Sequence, residues 1–150
     1  MIQKKTTLPV AKAPKKQQKK ASAPVSHGVG RRKNAIARVW VYKGSGKFTV
    51  NHGDLGEYFD TNETRVVATT ISKVYPASAD YDVAVNVIGG GKVGQAAAIM
   101  LGTARAFLLL DETMRPLFRQ HNMLTVDSRN KERKKYGQRG ARRKFQFVKR

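Results

Sequence analysis

From Ala35 to Lys43 the chain alternates, with Ala35, Ala37, Val39 and Val41 on one side and Ile36, Arg38, Trp40 and Tyr42 on the other. A period of two among β-branched and aromatic residues predicts a strand with one apolar and one amphipathic face. Lys43-Gly44-Ser45-Gly46-Lys47 then supplies turn residues, and Phe48 and Val50 resume an extended pattern, so a β-hairpin is expected, ended by Asn51-His52-Gly53. Asp54 has the side chain to cap a short helical turn carrying Leu55, Tyr58 and Phe59. A second helical stretch is expected from Thr61 or Asn62, with Val67, Ile71 and Val74 at spacings of four and three. The Val/Thr content from Val66 to Ile71 leaves a strand open there, and Pro76 stops either element. Tyr81 to Ile88 alternates clearly, placing Tyr81, Val83, Val85 and Val87 on one face, and ends at Gly89-Gly90-Gly91. Val93 to Leu110 is Ala-rich and predicts the longest helix, with Ala97, Leu101, Ala104 and Leu108 along a stripe. Asp111-Glu112 open a further helical turn toward His121.

These elements sum to an α+β body over residues 27–123, a three- or four-stranded sheet with helices on one face. Two segments stand outside the pattern. Residues 1–26 mix Lys, Ala, Pro and Gln without periodicity or apolar mass, and a disordered arm is expected. Residues 124–150 are basic, polar and Gly-punctuated, and read as an extended tail.

Charge sharpens this division. Of the 30 Lys/Arg in 150 residues, ten lie in residues 1–33 with no acid, and eleven lie in residues 124–150 against two acids. The intervening ninety residues hold nine bases and eight acids. A near-neutral body thus carries two cationic arms, which points to a polyanion partner, and nucleic acid is the most available one in a cell. Several classes drop out. There is no cysteine for a disulfide or a thiolate metal site. No apolar run approaches the ~20 residues of a membrane span. The first thirty residues lack an apolar h-region, so a cytosolic protein is the default. His27, His52 and His121 lie in separate segments without metal-ligand spacing, and no nucleophile has a base beside it, so neither metal, cofactor nor enzymatic activity is expected.

Gly89, Gly91 and Gly94 satisfy G-x-G-x-x-G between a strand and a helix, with Asp111 about twenty residues on. A dinucleotide site would need that acid at the end of a second parallel strand, and no such strand follows. Two readings stay open: a plain turn into a helix, or bare backbone amides at a helix N-terminus approaching an RNA phosphate. In the C-terminal run, Arg and Lys are interleaved with Tyr136, Phe145 and Phe147. Arginine forks match phosphates, and aromatics stack on bases or wedge into folded RNA. Gly30-Arg31-Arg32-Lys33 directly precedes the first expected strand, so its charges are held against the body.

Four ordered blocks carry a resemblance. Gly28-Val29-Gly30-Arg31-Arg32-Lys33, with Ala35 and Ala37-Arg38-Val39, is similar to an opening G-x-G-R-R-K-x-A-x-A-R-V. Gly89-Gly90-Gly91, Gly94-Gln95-Ala96 and Ala98-Ile99, continued by Gly102, Arg105 and Ala106, follow G-G-G-x-x-G-Q-x-x-A-I. Asp127-Ser128-Arg129 with Glu132-Arg133-Lys134-Lys135, and Gly137, Ala141-Arg142-Arg143 with Gln146 to Arg150, complete it. Over about residues 28–150 the chain resembles the bacterial-type ribosomal protein S9 of the small subunit, the uS9 family.

That resemblance implies a body of S5-domain-2-like type on the head of the small subunit, beside neighbouring head proteins, with a tail threading 16S-type rRNA. It implies tRNA contact in the P site through Lys149 and Arg150. It implies rRNA contact through Arg31, Arg32, Lys33, Arg129, Arg133, Lys134, Lys135, Arg142 and Arg143. Gly89, Gly90, Gly91, Gly94 and Gln95 would give the backbone approach to rRNA. No membrane or small-molecule partner is implied. The Lys-Arg ending fits a bacterial or organellar ribosome over an archaeal or eukaryotic cytosolic one, and the lack of Arg before Arg31 favours a bacterial ribosome in the cytoplasm over an organellar one. Met100-Leu101 stand where the family usually has Arg-His, Gly140 where it has Lys, and Val148 where it has Ser. The alternative from another class is a free-standing nucleic-acid chaperone or DNA-compacting protein. Co-sedimentation with small subunits at moderate salt separates the two.

Overall fold

The computed structural model describes residues 23–148. The expected arm therefore lies outside the described residues up to position 22, and its last part is not an arm. Val25 donates its amide to Val41 O at 2.8 Å, and Ser26–Arg32 is already a strand, β1. It forms a hairpin with β2 (Ala35–Lys43), closed by Lys33 and Asn34, with Lys33 in the left-handed region at φ +52°. The basic Arg31-Arg32 pair is thus inside the first strand and not ahead of it.

The remaining strands are β3 (Phe48–Val50), β4 (Gly53–Asp54) and β5 (Tyr81–Ile88). The five-stranded sheet runs β1-β2-β5-β3-β4, with β5 antiparallel to β2 and parallel to β3. The expected hairpin between β2 and β3 is therefore corrected: β5 lies between them. The reason is visible in Asp82 of β5, whose Oδ1 accepts the amides of Ser45 and Lys47 at 2.8 and 2.9 Å. Those bonds wrap the Gly-rich segment around the start of β5 instead of letting it close on itself, and they hold the Asp82 carboxyl below its usual pKa range. A parallel neighbour needs a crossover connection, and the chain supplies it with helices.

These are α1 (Leu55–Tyr58), α2 (Asn62–Ala68) and α3 (Thr70–Val74), followed by a 3₁₀ turn at Pro76–Asp80. Asp54 caps α1 by accepting from the Gly56 amide, as its position predicts. The second helical stretch starts at Asn62 but is broken at Thr69, where Thr69 and Thr70 hydroxyls donate back to the Arg65 and Val66 carbonyls. The break turns the buried side to Thr64, Ala68 and Ile71, leaving Val67 exposed against the expected stripe. Where β3 runs out, the Asn51 side chain pairs with both the N–H and the C=O of Val87, standing in for a strand residue.

After Gly89–Gly91 the long helix α4 (Lys92–Leu108) crosses the covered face of the sheet, and α5 (Arg115–Gln120) closes the core through Phe118. Inward residues are those the alternation marks: Ala35, Ala37, Val39 and Val41 from β2, and Val83, Val85 and Val87 from β5. The α4 stripe is wider than expected. Leu101 and Ala104 are buried, but so are Ala98, Gly102 and Ala106, because the helix is covered by β1 and β2 on one side and by α2 on another. Against β1 the contact is backbone to backbone. A Cβ on Gly28 would lie 2.2 Å from Gly102 O, and one on Gly30 would lie 1.9 Å from Ala98 O. The small-residue row at positions 98, 102 and 106 receives the side-chain-free side of β1. Met123 is the last buried core side chain, and no helix or strand follows it among the described residues. No helix of the described residues is long and apolar enough to cross a membrane.

The seam yields a stability test. Gly30→Ala should lower the urea midpoint by the equivalent of at least ~1–3 kcal/mol, since backbone and not a side-chain end is in the way. Gly91→Ala, where a Cβ meets nothing within 4 Å, should stay within about 0.5 kcal/mol of the parent. Equal midpoints for the two variants would contradict the seam.

Candidate nucleic-acid interface

One end of the sheet collects three separated segments. The β1–β2 hairpin tip brings Arg31, Arg32 and Lys33. The loop from Gly89 to Gly91 abuts it, so closely that a Cβ on Gly89 would meet Asn34 O at 2.4 Å. Gly89 and Gly90 both have positive φ, +72° and +64°, so the fold itself calls for glycine at these two positions. Gly91 has φ −102° and open space where a side chain would go. It leads into the N-terminus of the 17-residue helix α4, which has no side-chain cap. Free amides and partial positive charge therefore face outward there. Lys92 adds a full charge, its Nζ donating to Tyr58 O at 2.6 Å and lying 3.7 Å from the Tyr58 ring centre. Sequence reasoning missed Lys92, for which a lysine at the first position of a glycine-led helix was the available signal. Gln95 differs from the other residues of this block. It is buried, its Nε2 donates to Gly89 O and its Oε1 accepts from the Tyr58 hydroxyl at 2.8 Å. It fastens the glycine loop from inside. The glycine pattern leads to no second parallel strand, and Asp111 caps the 3₁₀ turn after α4 by accepting from Thr113.

The third segment is the root of the tail, and Arg32 holds it. Its Nη1 donates to the carbonyls of Asp127 and Arg129 at 3.3 and 3.1 Å, and its Nη2 pairs with Asp127 Oδ2 at 2.9 Å. Asp127 also accepts from the Arg129 guanidinium and from the Arg129 amide. These hydrogen bonds to Arg129, aided by the charges of Arg129 and Arg32, keep the Asp127 carboxyl well below the usual carboxylate range. Asn130 Nδ2 donates to Asn34 Oδ1 at 3.2 Å, so the tail is tied to both sides of the hairpin tip. Arg32 is thus largely spent on the clamp, while Arg31 and Lys33 on either side are exposed. Sequence reasoning did not foresee this role for Asp127; an acid two residues before Arg129, one of only two in a basic tail, was its signal.

The other tail acid behaves alike. Glu132 pairs with Arg142, and the Arg139 amide donates to Arg143 O at 2.8 Å, drawing residues 132–143 into a loop. Lys134 and Arg143 are exposed and Lys135 is half-buried, none with an acid partner among the described residues, and Arg133 bonds only the Lys134 carbonyl. Tyr136 and Phe147 are fully exposed and Phe145 largely so, an arrangement that a water-facing tail alone does not favour. Lys149 and Arg150 lie outside the described residues. No group of His, Asp or Glu among the described residues could hold a metal ion.

The clamp predicts a specific response to pH. The folded Asp127 carboxyl titrates below the unfolded value of ~3.9, so the clamp is fully present above about pH 4 and is lost as pH falls through the folded value. Pepsin cleavage at the tail root, referenced to a cut in the body, should rise between about pH 4 and about pH 2. Asp127→Asn should raise trypsin cleavage at Arg129 and Lys131 several-fold at neutral pH, leaving body cleavage unchanged. Unaltered tail cleavage in this variant would rule the clamp out.

The matching family model, described as ribosomal protein S9/S16, spans residues 30–150. Among relatives, the small ribosomal subunit protein uS9 of Desulfosudis oleivorans is 46% identical over 128 residues, covering 85% of this chain and 98% of its own length. That of Solidesulfovibrio magneticus is 45% identical, over 83% of this chain and 95% of its own. That of Treponema pallidum is 50% identical, over 82% of this chain and 95% of its own. Identity at this level across nearly the whole of each relative, together with a family match that runs from Gly30 through the tail, shows that the chain belongs to the ribosomal protein S9/S16 family.

Proposed function

We propose that this chain is a structural constituent of a bacterial-type small ribosomal subunit in the cytoplasm, with no catalytic role. Its body binds small-subunit rRNA, and its tail threads that RNA to reach P-site tRNA. The observation that carries the reading is the convergence of the hairpin tip, the glycine loop and the tail root at one end of the sheet. Arg31 and Lys33 offer exposed charges there, and the Gly91 edge of α4 offers backbone that an RNA phosphate can approach closely. Further along, Arg133, Lys134, Lys135 and Arg143 supply phosphate contacts and the exposed aromatics supply stacking. Arg129 and Arg142 keep their forks partly on Asp127 and Glu132, and join the RNA as those acids release or share them. Lys149 and Arg150 are the tRNA-contacting tip. The seven lysines before residue 26 add sequence-independent affinity, and neighbouring head proteins complete the site.

Electrostatic binding of this kind has a salt signature. Replacing Arg31 and Lys33 together by Gln should lessen the slope of log K against log salt for small-subunit rRNA by about 1.4–1.8, at 0.7–0.9 per phosphate contact. An unaltered slope would remove the hairpin tip from the interface. Deleting Lys149-Arg150 should speed tRNA loss from the P site about five- to thirty-fold while subunits still assemble. Unchanged tRNA dissociation would sink the tip assignment.

A further inference from the structure

The amphipathic side of β2 takes no part in the interface above. The helices of the described residues pack on the other face of the sheet, and no element among those residues covers this side. Across it the register sets His27 beside Trp40, Trp40 beside Ala84, and Ala84 beside Thr49. The next row holds Val29, Arg38 and Asn86, and the one after it Arg31, Ile36 and Ile88. Trp40, Tyr42, Thr49, Asn51, His52 and Asn86 line a concavity of about 350 Å³. Ala84 keeps its floor low between the indole and Thr49. The His27 ring lies 5.6 Å from the Trp40 ring and props its outer side.

The charges on this face are separated by row, with the acids beside Tyr42 and Thr49 and the arginines beside Val29 and Ile36. Arg31 and Arg38 are exposed. The two acids in register here, Asp82 and Asp54, both spend carboxylate oxygens on backbone amides, of Ser45 and Lys47 in one case and Gly56 in the other. Aromatic rings with polar edges, an exposed amide and arginines that form no ion pair among the described residues are the groups that take a splayed nucleobase and its phosphates. The aliphatic residues of this face, Val29, Ile36 and Ile88, lie in the two rows toward Arg31 and outside the concavity, whose lining is mainly aromatic and polar.

We propose that this concavity binds one unpaired RNA base, stacked against Trp40 and Tyr42 with Asn86 at its edge and Arg38 on the adjoining phosphate. The proposal rests on the RNA-binding reading above, and adds to it a second contact on the opposite side of β2 from the helices. It also separates two kinds of recognition: the hairpin end reads phosphates, whereas this face requires a strand with a base free to leave its stack.

Trp40 is the sole tryptophan, so its emission reports this face alone. The full chain is titrated with a short oligoadenylate and with a blunt RNA duplex of equal charge, binding being followed separately by anisotropy of end-labelled RNA. The single strand should quench Trp40 in step with anisotropy, and the duplex should bind with little quenching. Tyr42→Ala and Asn86→Ala should weaken single-strand binding, by about five- to one-hundred-fold for the ring, with duplex binding retained. These variants serve where Trp40→Ala fails to fold. RNA binding without any change in Trp40 emission would overturn this site and leave the RNA reading standing. No anisotropy change with either RNA would overturn both. Equal quenching by single strand, duplex and polyglutamate would mean a site for polyanions or acidic peptides, and would also overturn the proposal.

Discussion

The position of β1 against α4 governs much of the rest. Gly28 and Gly30 present bare backbone to the row of Ala98, Gly102 and Ala106, and Arg105 reaches round to the Val29 carbonyl at 2.8 Å. Close approach without side chains leaves little freedom to slide, since any shift along the helix meets the carbonyl of residue 98 or 102. That contact determines where the hairpin tip stands. The tip determines where the Arg32 guanidinium points, and Arg32 determines where the tail leaves the body. A steric constraint in the core is therefore carried outward, through one arginine, to the most charged segment of the chain.

The charges consequently divide into kinds that a net charge of +20 does not distinguish. Arg32 and Arg105 act inward, one on tail carbonyls and one on a strand carbonyl. Arg129 and Arg142 are balanced by the only acids of the tail. Arg31, Lys33, Lys134, Lys135 and Arg143 form no ion pair among the described residues. In this family of RNA-associated proteins, a basic residue can serve folding or binding, and the distinction rests on which carbonyls and carboxylates lie within its reach.

Much of the architecture was legible because burial leaves a periodic trace. The alternation in β2 and β5, the Asp54 cap and the long Ala-rich helix all follow from side chains that must face a core or fill a hydrogen bond. The first strand escaped because its inward positions are glycines, which bury backbone and show no apolar alternation. The sheet order escaped because Lys43 to Lys47 have good hairpin chemistry, and Asp82, which redirects them, lies more than thirty residues away. The α2 stripe slipped because two threonine hydroxyls break the helix at Thr69. At the interface, the clusters of positive charge could be read directly. The clamp could not, because pairing Arg32 with Asp127 depends on a contact across 95 residues.

The clamp also sets a length. With the chain held at Asn130, the twenty residues that follow reach at most about 70 Å from the hairpin tip. Were the chain free from Leu124 instead, seven more residues would lengthen this tether by about 24 Å. A longer tether spreads its end through a larger volume and lowers the effective concentration of that end at any one target. Asp127 thus works as a ruler for the tail, fixing the length of chain that leaves the hairpin tip.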